Sequence, residues 1–437
     1  MELTIHRGAR QIGGTCIEVA TATTRVILDV GAPLEDPVRL LAQPGPTARG
    51  PRRTRPADLP AVPGLFADGP RVDAVLLSHA HGDHTGLLKW VRPEIPVYLS
   101  KGTSKMLMAG SIFARQTKLE RSRERIITPS IPVRIGDITI TGLPVDHSAF
   151  DSMALLLEAG GKRLLYSGDL RLHGRKPGMA LELFKTAAAK PIDVLLMEGT
   201  NLREPAAAEN RSNLSEIELE KLLSQDIKAW PGLVLANFSP QHVDRMVSFY
   251  KATRRSGRVF VVDVYGAFVL YLVSGQCRIP QPTKRNGIQV YYSQSFQRTW
   301  QEKNLQELHT MFLADRIDLP TILADPERYV MLFRPSMLGV DFGGTLPEHT
   351  RCLYSYWAGY LVKPEYEDLV AALDTAGGKL VERHTSGHIF AGDLVGFVRK
   401  INPRQVVPVH TATPAKFPAL FSNAHLLADG ERFCLGE

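Results

Sequence analysis

Cysteine is scarce in this sequence: Cys16, Cys277, Cys352 and Cys434 stand far apart in a chain of 437 residues. None falls in a C-x-x-C spacing, so neither a disulfide framework nor a cysteine-ligated zinc is indicated, and a reducing cytoplasm is the expected compartment. No apolar stretch approaches the roughly 18 to 20 residues that a membrane-crossing helix requires. The opening MELTIHRGARQIGG lacks the apolar segment of an export signal. The expectation is therefore a cytoplasmic protein with no membrane partner. Internal repeats and low-complexity tracts are missing too. Acidic residues are outnumbered, 45 Asp and Glu against 52 Lys and Arg, giving a formal charge of +7. Such a balance favours a polyanionic partner, because clustered cations displace counterions from phosphates.

What is present suffices for a sizeable core. With 44% hydrophobic residues over this length, two domains are expected. ELTIHRG, CIEVAT and RVILDVG read as a β-meander, with Gly13-Gly14 turning the chain between the first two strands. A long Pro-, Gly- and Arg-rich loop follows over 40–64, where Arg49, Arg52, Arg53 and Arg55 are candidate phosphate contacts. Further strands are expected at VDAVLLS, IPVYLS, ITITGLPV, SMALLLEA, KRLLYSGD and PIDVLLMEG, with helical spacing in TGLLKWV and a basic amphipathic helix over 104–125. From about Asn210 the pattern changes to alternating helix and strand, which implies a parallel sheet covered by helices. Arg254, Arg255, Arg258, Lys284 and Arg285 are expected to add positive potential to this second region.

The chemistry concentrates in SHAHGDH at 78–84. His79 and His81, two apart in extended backbone, point to one side and can share a metal. Asp83 and His84 lie where a helix begins and turn toward a second one. A two-metal site needs more donors, and the ends of other strands supply candidates. His147 ends ITITGLPVDH, Asp169 closes KRLLYSGD, and His410 ends QVVPVH. Taken singly, each is more often a packed or solvated side chain than a ligand. As a set, VILD at Asp29, then SHAHGDH, VDHS and YSGD in that order, resemble the metallo-β-lactamase superfamily of binuclear metallohydrolases over the first 200 or so residues plus the tail. That resemblance implies one zinc on His79, His81 and His147, a second on Asp83, His84 and His410, and Asp169 between them. Asp29 would orient the ligand loop without binding metal. Manganese is the alternative to zinc.

The later motifs narrow the resemblance. Glu198 after LLM, His388 in HTSGH and His410 in PVH match the three additional motifs of the β-CASP nucleases, and the HTSGH-to-PVH spacing is similar to ribonuclease J. The implied fold is an α/β metallo-β-lactamase αββα sandwich (1–205, completed by 379–437) with an inserted α/β β-CASP-like domain (206–378). The implied activity is hydrolysis of single-stranded RNA, exonucleolytic from the 5′ end, endonucleolytic, or both, by a two-metal-activated hydroxide. Asp83, His388 and Glu198 would be catalytic, and His384, Ser386 and Gly387 would bind substrate. A DNA-directed nuclease and a small-molecule metallohydrolase are the alternative readings, and a homodimer is the candidate assembly.

Overall fold

In the first strand, Glu2–Arg7, Leu3 and Ile5 are buried while Glu2 is exposed, the alternation that a sheet with one inward face requires. It pairs antiparallel with Cys16–Ala20, which pairs antiparallel with Arg25–Leu28. Gly13 and Gly14, both at positive φ (79° and 70°), make the turn between the first two strands. The structure is a computed structural model that describes residues 1–34, 59–202 and 213–435. The arginine-rich stretch with Arg49, Arg52, Arg53 and Arg55 lies outside the described residues.

The described chain forms two compact units, one made of 1–34, 59–202, 213 and 387–435, the other of 214–386. In the first unit the meander continues through parallel strands Ala74–Leu76, Val97–Leu99 and Glu124–Ile126, and Arg432–Cys434 closes the other edge against the first strand. A second sheet has the order Gln405–Val409, Val194–Glu198, Lys162–Tyr166, Met153–Ala159, Ile138–Pro144 and Val133–Ile135. Its first three strands are parallel and the rest antiparallel.

The inward faces of the two sheets meet in one apolar core, in which Leu3, Ile17, Val26 and Leu76 pack with Ile140, Leu155, Leu164, Leu196 and Val407. On the outer face of the second sheet, Leu165, Leu195 and Val406 pack with Leu183 of helix Ala180–Ala189 and with Leu394, Phe397 and Ile401 of helix Ala391–Ile401. Every strand bearing a candidate ligand delivers it at a carboxyl end, where the apolar run stops and the polar loop begins.

The second unit is a parallel sheet in the order Arg316–Ile317, Ile288–Tyr291, Val259–Asp263, Tyr329–Leu332, Val234–Asn237, Arg351–Tyr354 and Lys379–Glu382. All six pairings are parallel. Its helix Glu216–Lys228 starts with a capping box in which Ser215 and Glu218 satisfy each other's backbone N–H groups.

Three expectations need correction. The basic helix over 104–125 is a helix only at Lys101–Phe113; Arg115 turns to φ 54° and the chain proceeds to the edge strand Glu124–Ile126, because 114–125 offers little apolar face to bury. TGLLKWV gives a single turn, Gly82–Thr85, and a 3-10 turn, Leu88–Trp90, in place of a continuous helix. Arg258 is buried and donates to the Gly232 carbonyl at 2.8 Å, and Arg255 pairs with Glu220, so both are held by structural partners; Arg254, Lys284 and Arg285 are exposed.

Candidate metal centre

The site begins with strand Ala74–Leu76, entirely buried, whose apolar run ends at Ser78. Asp29, just past strand Arg25–Leu28 and at φ 56°, is the first anchor. Its carboxylate accepts the Ser78 backbone N–H at 2.8 Å, the Ser78 hydroxyl at 2.7 Å, the Tyr166 hydroxyl at 2.7 Å and His84 Nδ1–H at 2.8 Å. With Nδ1 thus committed, His84 turns Nε2 inward, 3.1 Å from Asp169 Oδ2.

His147, beyond strand Ile138–Pro144, is oriented in the same manner: Nδ1–H donates to the Gly387 carbonyl at 2.6 Å, and Nε2 faces His81 Nδ1 at 3.1 Å. Gly387 has no room for a side chain, since an added Cβ would lie 2.4 Å from the Ser148 hydroxyl oxygen. Asp169 follows strand Lys162–Tyr166 and is 1% exposed. Its Oδ2 lies 3.7 Å from His79 Nε2, 3.9 Å from His147 Nε2 and 3.7 Å from His388 Nδ1, and its Oδ1 lies 3.5 Å from His410 Nδ1. His410, at φ 51° past strand Gln405–Val409, sets Nε2 3.3 Å from Asp83 Oδ2, with Thr200 Oγ 2.9 Å from its Nδ1.

Among the described residues, three overlapping groups offer ligand atoms within 4.8 Å of one another: His79, His81 and His147; Asp83, His84, Asp169 and His410; and Asp169, Glu198, His388 and His410. These groups fit metal ions on a direct test. His79 Nε2, His84 Nε2 and both oxygens of Asp169 are buried and make no hydrogen bond, although burying polar atoms without partners is costly. Four such atoms converging on one place are what ligands to a cation look like.

Electrostatics agree with that assignment at His79, His81 and His147. Burial, reinforced by neighbouring imidazoles, holds His79 and His147 well below the ordinary histidine value, and burial lowers His81, so all three present lone pairs. Asp169 is held well below the carboxylate range: burial opposes this, but the surrounding His410, His84 and His388 outweigh it. Asp83 is lowered in the same way, chiefly by His84 against its own burial. His84, beside Asp169, Asp29 and Asp83, is raised in spite of its burial.

His388 sits at the rim, its side chain 21% exposed, with Nδ1 3.2 Å from Glu198 Oε2. Glu198 is fully buried at the end of strand Val194–Glu198 and accepts the backbone N–H groups of Leu170 at 3.1 Å and Thr200 at 3.2 Å. Burial works against the charge on His388, but Glu198 and Asp169 carry its pKa up to about 9. His384 and Ser386 belong to the second unit, where His384 Nδ1–H donates to the Ser355 carbonyl at 3.1 Å. The sequence reading did not single out Ser78, Tyr166 and Thr200, whose hydroxyls complete the hydrogen bonds to Asp29 and His410. Tyr166 stands three residues before Asp169, but a strand-end tyrosine carries no mark of its partner.

Residues 38–220 match the family described as Beta-lactamase superfamily domain. Ribonuclease J of Mycobacterium tuberculosis is 24% identical over 359 residues, covering 78% of this chain and 58% of that protein. Probable RNase MJ4 of Methanocaldococcus jannaschii is 25% identical over 218 residues, covering 46% of this chain and 45% of that protein. This chain thus spans somewhat over half the length of the M. tuberculosis relative. A crystal structure of a protein of unknown function from Enterococcus faecalis V583 superposes with a TM-score of 0.75 at 23% identity, covering 99% of both chains, and shows the same fold. Residues 38–220 thus resemble a β-lactamase superfamily domain, and 78% of this chain is similar in sequence to ribonuclease J, on an α/β fold shared with the E. faecalis structure.

Proposed function

We propose that this chain is a nuclease that hydrolyses phosphodiester bonds of single-stranded RNA with two zinc ions, held by His79, His81 and His147 and by Asp83, His84 and His410, with Asp169 between them. One observation carries the reading: seven side chains from four separate segments of the chain converge on one buried point, where four of their nitrogen and carboxylate atoms make no hydrogen bond, and His388 stands beside them on a carboxylate. The similarity to ribonuclease J supports RNA as the substrate. The 206–378 insertion is assigned as a β-CASP-type substrate domain.

Bound there, two divalent cations would polarise the scissile phosphate, make an attacking water acidic near neutral pH and offset the charge of the transition state. The rest of the work falls to the chain. Asp29 and the Gly387 carbonyl hold His84 and His147 in single ring orientations, so their inward nitrogens need no rearrangement during turnover. Glu198 accepts from His388 Nδ1 and keeps that imidazole charged at neutral pH, which leaves Nε2–H to protonate the departing 3′-oxygen. His384, Ser386 and Gly387 would contact the phosphates of the bound strand; in HTSGH, the glycine lets backbone N–H groups come close to an anion.

The test is digestion of end-labelled RNA and DNA oligonucleotides, each with 5′-phosphate, 5′-hydroxyl or circular form, in zinc and in manganese. Cleavage of RNA that chelation abolishes is the expected result, and opening of circles would identify an endonuclease. Failure to cut any of these substrates with either metal would overturn the reading in favour of a small-molecule hydrolase, and cleavage confined to DNA would replace the substrate.

A further inference from the structure

A buried ion pair joins two of the ligand loops. Asp146 immediately precedes His147, and Arg171 stands two residues after Asp169. Arg171 Nε donates to Asp146 Oδ1 at 2.9 Å, with the side chains 0% and 4% exposed. The Arg171 backbone N–H donates to the Asp146 carbonyl at 2.7 Å, and the Lys176 N–H donates to Asp146 Oδ2 at 3.0 Å. Gly174 passes so close that an added Cβ would sit 2.3 Å from Asp146 Oδ2. The loop after Asp169 is therefore wrapped around the carboxylate that adjoins His147, and no side chain is tolerated at its nearest approach.

Stability alone is a poor account of this arrangement. Removing a guanidinium and a carboxylate from water costs about as much as their attraction returns, and well-packed apolar replacements of buried pairs are often neutral or better. Geometry is the better account. His147 and Asp169 come from different strands, and their ligand atoms, Nε2 and Oδ2, lie 3.9 Å apart. The hydrogen bond from His147 to Gly387 fixes the ring's rotation, but neither it nor the strand pairing fixes how far the loop carrying Asp169 stands from the loop carrying His147. The Asp146–Arg171 clasp does.

We infer that Asp146 and Arg171 are positioning residues, a clasp that sets the separation of His147 and Asp169 and thereby the affinity of the centre for its metals. The inference rests on the metal-centre reading above. It is a role exercised through neighbouring side chains, since neither residue belongs to the groups of converging ligand atoms.

The experiment compares the full chain with the double variant Asp146→Asn/Arg171→Met, which removes both charges of the pair together, and with Arg171→Lys. Zinc affinity is read by titration of metal-stripped protein against a competing chelator, and folding by thermal unfolding of the stripped protein. The expected result is a double variant that melts close to wild type without metal but binds zinc about 10- to 100-fold more weakly, the usual effect of losing a group that orients a ligand. Arg171→Lys, which keeps the charge and loses the Nε contact, should fall between the two. Wild-type zinc affinity in a folded double variant would overturn the inference, as would a double variant that cannot fold even with zinc, because the pair would then be a stability element. A wild type that binds no zinc would sink the metal-centre reading itself. One that binds two ions but cuts no RNA would sink only the nuclease reading and leave the clasp standing.

Discussion

Asp29 and His410 both adopt positive φ, at 56° and 51°, where residues other than glycine are uncommon. Each holds that left-handed conformation while its side chain serves the centre, and aspartate and histidine are among the residues that adopt it most readily. Asp29→Asn should weaken zinc binding by about 10- to 100-fold, because an amide cannot accept from Ser78, Tyr166 and His84 together. Chelator competition on the folded variant checks this. His388→Ala should keep two metals and lose about 100- to 10,000-fold in kcat, the usual range for a general acid, whereas Asp83→Ala should lose metal and turnover together. Metal analysis alongside single-turnover kinetics separates the two cases. His79, His81, Asp83 and His84 were legible in the sequence because they share one short segment. His147, Asp169 and His410 were legible because each stops an apolar run, and a strand end is where a polar cluster can be built. Asp146 and Arg171 were not legible: an ion pair across 25 residues leaves no periodic trace.

At the scale of elements, the three strands that open the chain are tied by Glu18, which accepts from Arg25 Nε at 2.9 Å and lies 3.0 Å from His6 Nε2. Burial alone would raise the Glu18 carboxyl, but the hydrogen bonds from His6 and Arg25 bring it down from its ordinary 4.5 to about 2. A depressed carboxyl stabilises the fold above its unfolded value and ceases to do so as acid protonates it. Between pH 4.5 and about 2 the chain should therefore lose roughly 1 kcal/mol through this group, after allowance for partial solvent screening. Glu18→Gln should flatten that part of the acid unfolding curve. Helix Ala391–Ile401 offers a packing test: Phe397, 1% exposed in the outer core, should cost about 3 to 5 kcal/mol on replacement by alanine, read from denaturant midpoints. Helices and long strands were readable because their apolar period extends over several residues. The edge strand Glu124–Ile126 was not, since its residues are half-buried or exposed and show no alternation. The helix predicted over 104–125 overran because charge spacing there imitated a helical face with nothing to pack against.

For the whole molecule, ligand binding and folding are linked. Zinc that binds only the native state should raise the melting temperature as its concentration rises, with about 2.7 kcal/mol of added stability at a hundredfold excess over Kd. A melting point indifferent to zinc and to chelator would contradict the centre. The formal charge of +7 predicts RNA affinity that falls steeply with salt, measurable as the slope of log Kd against log salt concentration. One topological feature bears on how such a chain is made. Strand Val194–Glu198 takes one of its two neighbours, Gln405–Val409, from more than two hundred residues further on, and the opening strand Glu2–Arg7 takes Arg432–Cys434 from the far end. A nascent chain leaving the ribosome has Asp83, Asp169 and Glu198 exposed long before His388 and His410 exist. Until Gln405–Val409 is translated, the sheet edge at Val194–Glu198 stays open and the set of donors incomplete, so assembly of the candidate metal centre becomes a late event of synthesis.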